Sequence, residues 1–321
     1  MAHRQSLAAT DVSAERRRPA GAPPLLHPLA LLTAASTFFL ILVGALVVGN
    51  EAGLAVPDWP LSFGTWMPAM VGGVFYEHGH RMVAATVGVL TTLLALWLSL
   101  REPRRWVRAL GWTALAAVIV QGILGGVTVL YKLPTPVVVG HACLAQLFFC
   151  LTLSLAVFTS RTWERPDVRI EDRLSPQFRH LSAATTLAIL VQLALGAALR
   201  HRALDVLPHL LWAMVVSVLA GWVVIRAMRL PERRPLQRLA ATMGILLVAQ
   251  LSLGGIAYLA RVLHEGSSAP HPVMIWTTTA HVAIGALALG ASWVLTLLSF
   301  RHLGSPRLAP ALQQSPEKSP A

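Results

Sequence analysis

Eight stretches of mostly apolar residues, near 27–49, 78–100, 107–131, 136–158, 179–199, 207–228, 239–261 and 273–300, run the length of this chain of 321 residues. Each reaches the roughly 20 residues that a helix needs to cross the hydrocarbon core of a bilayer. A segment in that medium must satisfy its backbone polar groups internally, so the helix is the form these stretches can take there. With 55% hydrophobic and 12% charged residues, the chain is far poorer in charge than a soluble domain. The expected fold is an all-α integral membrane protein with eight transmembrane helices.

A net charge of +12 could suggest nucleic acid, but the basic residues follow topology instead. Placing the N-terminus in the cytoplasm puts 21 of the 26 Lys and Arg residues on the inner side: Arg4 and Arg16 to Arg18, then the groups at 101–108, 161–179, 226–238 and 301–318. Arg81, Lys132, Arg200, Arg202 and Arg261 remain near outer helix ends. The positive-inside rule therefore puts both termini in the cytoplasm, and an even number of spans agrees. No nucleic-acid partner is expected. Residues 1–26 read as a flexible tail before a retained first helix, 159–178 as a cytoplasmic linker and 301–321 as a disordered tail. Cys143 and Cys150 share the fourth span about two turns apart, too far to pair with each other.

An internal repeat divides the spans. QGILGGV at 121–127 is echoed by QLSLGGI at 250–256, by QLALGA at 192–197 and weakly by VGAL at 43–46. After each of them the chain crosses an outer loop and enters an even-numbered span carrying a histidine near its outer end: His80, His141, His209 and His281. The chain thus reads as two pseudo-repeated four-helix bundles, 27–158 and 179–300, with His80 matched to His209 and His141 to His281. The glycines of the repeats are expected to pack helices, and Gln121, Gln192 and Gln250 to donate hydrogen bonds between helices.

Ionisable groups within a membrane are costly and usually functional, and imidazole is a common axial ligand of haem iron. Two facing helices that each offer one imidazole form a haem clamp, so two pairs predict two haem-sized pockets. Zinc fits poorly, since it normally gathers three or four protein ligands in one place. At 100° per residue, Glu77 and His80 lie within about 60° of each other and Glu77 and Arg81 within about 40°, whereas His78 points nearly opposite to His80. Glu77 could stabilise positive charge, move a proton, orient His80, or simply meet the helix dipole. Arg81 could pair with a haem propionate or with Glu77. The preceding loop, AGLAVPDWPLSFGTWMP at 52–68, suits a cap at the outer interface, with Trp59 and Trp66 as anchors or as a lid over a porphyrin. His201, His264 and His271 are read as outer-loop surface residues.

The combination of Gly53-Leu54, Pro57-Asp58-Trp59-Pro60, Glu77 with His80-Arg81, Arg200-His201 before His209, and Thr278 to His281 resembles the haem A synthase family over about residues 30–300. The resemblance implies an enzyme that oxidises a methyl group of haem O to the formyl group of haem A for terminal oxidase assembly. It implies haem b held permanently by His209 and His281, substrate haem framed by His80 and His141 with Arg81, and Glu77 as catalytic acid. Haem O from a haem O synthase, an electron donor and the oxidase assembly machinery are the implied partners, and a second copy of the chain is a candidate; the Arg- and Ala-rich composition without a clear transit peptide favours a bacterial inner membrane over a mitochondrial one, with both haem sites expected toward its outer side. Many members carry a cysteine pair in the first outer loop, whereas this chain has Val56 before PDWP and Ser62 after it. Two other readings stay open on the residues alone: a non-catalytic bis-histidine di-haem cytochrome, in which Glu77 is decorative, and a transporter of a hydrophobic solute.

Overall fold

The computed structural model describes residues 25–164, 169–230, 234–264 and 271–304. Eight of its helices are long and apolar enough to cross a membrane. They are α1 (Leu26–Gly49), α2 (Gly73–Arg101), α3 (Arg105–Leu130), α4 (Thr135–Phe158), α6 (Phe178–Arg200), α7 (Val206–Met228), α8 (Arg234–Leu263) and α9 (Pro272–His302). A four-residue helix α5 (Arg161–Glu164) and a two-residue parallel pairing of β1 (Ile170–Glu171) with β2 (Leu303–Gly304) complete the described elements. The expected tails at 1–26 and 301–321 and the linker at 159–178 fall largely or partly outside the described residues. Within them, α9 runs on to His302 and β2 follows directly.

Two starts differ from the expected spans. Helix α2 begins at Gly73 rather than near residue 78, because the apolar Val74-Phe75-Tyr76 stretch continues the helix outward from the polar segment that looked like a border. Helix α8 begins at Arg234 rather than 239, its first turn carrying Pro235 and Leu236 beside Arg234 and Gln237.

Contacts between helices close two rings. In the first, α1 packs on α2, α2 on α3, α3 on α4 and α4 back on α1; in the second, α6, α7, α8 and α9 meet in the same cyclic order. The rings touch through α1 and α4 on one side and α6 and α9 on the other. Helices α4 and α9, at that seam, are half buried along their most apolar windows, the highest share of the eight. Large side chains such as Leu100, Ile245 and Val218 point outward, as lipid-facing positions do.

Apolar burial does little to distinguish helix from lipid, so polar and small residues supply specificity in these contacts. Ser182 Oγ lies 3.0 Å from Ser299 Oγ, and Thr186 Oγ1 lies 2.7 Å from Ser292 Oγ and 2.9 Å from Thr296 Oγ1, lacing α6 to α9. Across the seam, Trp293 Nε1 donates to Ser154 Oγ at 2.8 Å. At the end of the molecule opposite the four histidines, two carboxylates fasten the connections. Glu102 takes Nε of Arg104 at 2.7 Å and Nη2 at 2.9 Å, while Arg104 also reaches the Phe158 carbonyl. Burial opposes ionisation of Glu102, but the bonds and charge of Arg104 outweigh it and hold the carboxyl below its ordinary value.

Asp172 does the same for the second ring. It accepts from the backbone N–H groups of Leu174 and Phe178 and pairs with Arg226 at 3.5 Å, with both charged side chains buried. Removing one partner of a buried ion pair leaves the other charge uncompensated. Asp172→Ala is therefore expected to destabilise the protein by about 3 kcal/mol, read as a lowered thermal midpoint of helix unfolding in detergent; an unchanged midpoint would refute the clamp.

Candidate haem-binding site

All four even-numbered membrane spans run in the same direction, so a histidine early in each falls at the same side of the bilayer. His80, His141, His209 and His281 sit at those places on α2, α4, α7 and α9. Each lies against a glycine of the span before it. A Cβ on Gly44 would stand 3.1 Å from His80 Cε1, one on Gly125 3.4 Å from His141 Cε1, one on Gly196 3.1 Å from His209 Cε1 and one on Gly254 3.0 Å from His281 Cε1. The repeated glycine is the seat of the next helix's imidazole, a role beyond the helix packing expected of it.

Helices α2 and α4 are diagonal partners in the first ring, and α7 and α9 in the second, so each ring presents two imidazoles across its interior. In the second, the His209 and His281 rings stand 6.3 Å apart between centroids at an interplanar angle of 66°. Two metal–imidazole bonds of about 2 Å, plus roughly 1 Å from each bonded nitrogen to its ring centre, span about 6 Å. The ring separation matches that span, while the amide of Gln250 lies 3.1 Å from His281 Nε2. Among the described residues no group of three or more His, Cys, Asp or Glu side chains could hold a metal. A porphyrin iron, which brings four nitrogens of its own and asks two axial ligands of the protein, suits each pair better than zinc.

The rings differ in what touches the imidazole nitrogens. Gln192 Nε2 lies 3.2 Å from both ring nitrogens of His209 and 3.1 Å from its carbonyl oxygen. His281 Nδ1 donates to the Gln250 carbonyl at 3.2 Å, and Gln250 Nε2 approaches His281 Nε2 at 3.1 Å. In the first ring Gln121 Nε2 donates to the His141 carbonyl at 2.9 Å, while the buried Nδ1 atoms of His80 and His141 have no partner. Orphaned buried polar atoms of this kind suit a site completed by a ligand. Between the glutamines of the second ring lies a cavity of about 50 Å³, lined by Gln192, Gln250, Ile189, Val216, Met243 and Ala288 among others.

Glu77 is buried, and both oxygens are used: Oε2 accepts from Val56 N–H at 2.8 Å and Oε1 from Arg81 Nη2 at 2.7 Å. The i, i+4 face expected for Glu77 and Arg81 is thus realised as an ion pair. Arg81 Nη1 also donates to the Asp58 and Leu61 carbonyls, each at 2.8 Å, so the guanidinium is committed to the outer loop. His78 turns to Ser62, whose Oγ lies 2.8 Å from its Nδ1.

The loop folds around this anchor. Asp58 accepts from Phe63 N–H at 2.7 Å and Gly64 N–H at 2.8 Å, closing a turn in which both donors have positive φ. The N–H of Gly64 in particular holds the Asp58 carboxyl below its ordinary value. Trp59 lies flat on α3, where a Cβ on Gly126 would fall 2.6 Å from its ring, whereas Trp66 is 81% exposed. Trp59 therefore belongs to the cap, and Trp66 has the exposure of an interfacial anchor. His201, beside Arg200, is held below the ordinary histidine value by burial and then by that guanidinium. His264 and His271 stack on each other with centroids 3.8 Å apart.

Residues 70–207 match the model of a family described as cytochrome oxidase assembly protein. The haem A synthase of Symbiobacterium thermophilum is 28% identical across 75% of this chain and 90% of its own length. That of Roseobacter denitrificans is 34% identical across 36% of this chain and 34% of its own length, and that of Paracoccus denitrificans 32% identical across 36% and 33%.

The glycine seats generate a direct prediction. A haem held between His209 and His281 would give a low-spin signal, and Gly254→Leu, which drives a side chain into the space of the His281 imidazole, is expected to abolish it. Helix content by circular dichroism should stay near wild type, and retention of the signal would show that the seat is not needed.

Proposed function

We propose that this chain, which is similar to haem A synthases, is itself one: a membrane oxidoreductase that converts the methyl group of haem O to the formyl group of haem A for terminal oxidase assembly. The observation that carries this reading is the placing of two diagonal imidazole pairs, each seated on glycine, with a buried carboxylate one turn from one of them. The haem A synthase relatives and the family match support the same reading.

In this proposal His209 and His281 hold haem b, and the 6.3 Å ring separation supports that assignment. Bound there, haem b would supply electron transfer, the chemistry the protein itself lacks. His80 and His141 receive the farnesylated substrate, which is membrane-soluble and suited to a site among helices. Glu77 is the catalytic acid, able to oppose positive charge developing on the substrate or to hold a proton one helical turn from His80. Arg81 serves the substrate side through its loop, by fixing Glu77 and the cap in place.

The proposal further places both termini in the cytoplasm of a bacterial inner membrane and both haem sites toward the outer side, supported by the distribution of basic residues. The matching cyclic order of contacts in the two rings supports an origin as repeated four-helix halves. Haem O from a haem O synthase, an electron donor and the oxidase assembly machinery are the partners this role requires, with a second copy of the chain as a candidate.

A second reading, the non-catalytic di-haem cytochrome, is favoured by one observation: both Glu77 oxygens are occupied by structural hydrogen bonds. The two are separated by extracting and chromatographing the bound haems from cells that also make haem O. Wild type should carry haem A, whereas Glu77→Ala, and Glu77→Gln, which keeps an acceptor for Val56 N–H, should carry only haem O or haem b. Haem b alone in all three proteins would overturn the synthase and leave the cytochrome.

A further inference from the structure

We propose that Arg200 and Thr279 form an anion-binding subsite at the junction of the two rings, and that it receives a carboxylate of the haem held between His209 and His281. This rests on the assignment of a haem to the second ring.

The register places the guanidinium. Gly196 seats the His209 imidazole, and Arg200, four residues on, closes α6. Residues four apart lie on one helix face, so Arg200 stands one turn beyond the imidazole, at the end of the bundle that carries the histidines. The residues four beyond the other three seats are Val48, Val129 and Tyr258, none of them charged. The repeat therefore does not account for an arginine at this place.

The side chain turns into the junction rather than away from the protein. Arg200 Nη2 lies 3.8 Å from the point where a Cβ on Gly49, the last residue of α1, would stand, and Thr279 Oγ1 lies 3.6 Å from the same point. Helix α1 of the first ring thus meets α6 and α9 of the second between a guanidinium and a hydroxyl. Thr277 and Thr278 each return their hydroxyl to a carbonyl four residues back, at 2.7 Å, the common habit of a helical threonine. Thr279 is 2% exposed, and its hydroxyl has no partner. Among the described residues Arg200 makes no ion pair either, although Glu51 follows Gly49 by two residues.

A guanidinium carries donors only, and a half-buried one calls for an acceptor. The group that meets it beside a free hydroxyl is an anion with more than one oxygen, and planar carboxylates match the guanidinium fork. A haem carries two carboxylates, which are costly in hydrocarbon and belong toward the nearer membrane surface. That surface is the one at which α1 and α6 end and α9 begins, two turns from His281. The guanidinium of the first ring, Arg81, is already committed to Glu77 and the cap.

The test titrates full-length His80→Ala protein in detergent, which leaves the second ring as the bis-histidine site, with haem b and with its dimethyl ester. Binding is read from the low-spin Soret band. The free acid should bind about tenfold more tightly than the ester, the effect of one charge-assisted hydrogen bond. Arg200→Leu should erase that preference by weakening the acid and sparing the ester, and ester binding at undiminished strength shows that the variant is folded. Thr279→Val should reduce the preference about threefold. Arg202→Leu, which removes an exposed cation nearby, should leave it intact. A preference that persists in Arg200→Leu, or in Thr279→Val should the first variant not fold, would overturn the subsite, as would an equal loss in Arg202→Leu. Survival of the low-spin band when His281→Ala is added to His80→Ala would instead overturn the assignment of haem to the second ring.

Discussion

An imidazole carried into the hydrocarbon region has two needs that pull against each other: polar partners for its nitrogens, and neighbours close enough to exclude lipid. Close approach demands a surface without a side chain. The four seats, Gly44, Gly125, Gly196 and Gly254, provide it, each leaving no more than a tight contact for a Cβ beside the ring. The pairing of each odd span with the next even one follows from this contact, and two such pairs close each ring. Gly126, adjacent to the His141 seat, has a use of its own, since it receives the Trp59 ring and ties the outer cap to α3.

Much of this was legible in the sequence, because the signals are long-period and redundant. Eight apolar runs predicted eight spans, and the structure has eight helices of that kind. The histidines at equivalent places in even spans, and the i, i+4 relation of Glu77 to Arg81, needed only helix geometry. The start of α2 was misplaced because aromatic residues at 74–76 continue a helix as readily as they anchor a loop. Of the partners of Arg81, Glu77 was legible and the loop was not: its other bonds go to the Asp58 and Leu61 carbonyls, 23 and 20 residues upstream, and backbone acceptors leave no mark on composition. Nor did the repeat reveal which glutamines touch a ring and which touch a carbonyl, since helix rotations of a few degrees decide that.

The second ring and the first are built on the same seats but spend their polar atoms differently. In the second ring the Gln192 and Gln250 amides lie beside the imidazole nitrogens, whereas in the first the Nδ1 atoms of His80 and His141 have no partner and the polar bonds go to the cap and to Glu77.

The fastening of that cap also accounts for how the loop holds together without the cysteine pair that many haem A synthases place there. Val56 and Ser62, the residues before and after the Pro57 to Pro60 segment, are both bonded to α2: Val56 N–H to Glu77 and Ser62 Oγ to the Nδ1 of His78. Asp58 closes the turn between them, and Arg81 gathers the carbonyls on either side. A disulfide would restrict the loop covalently, whereas these bonds tie it to the helix that carries His80. Any motion of the cap in this chain is thereby coupled to Glu77 and to the helix bearing His80, because the same carboxylate belongs to both.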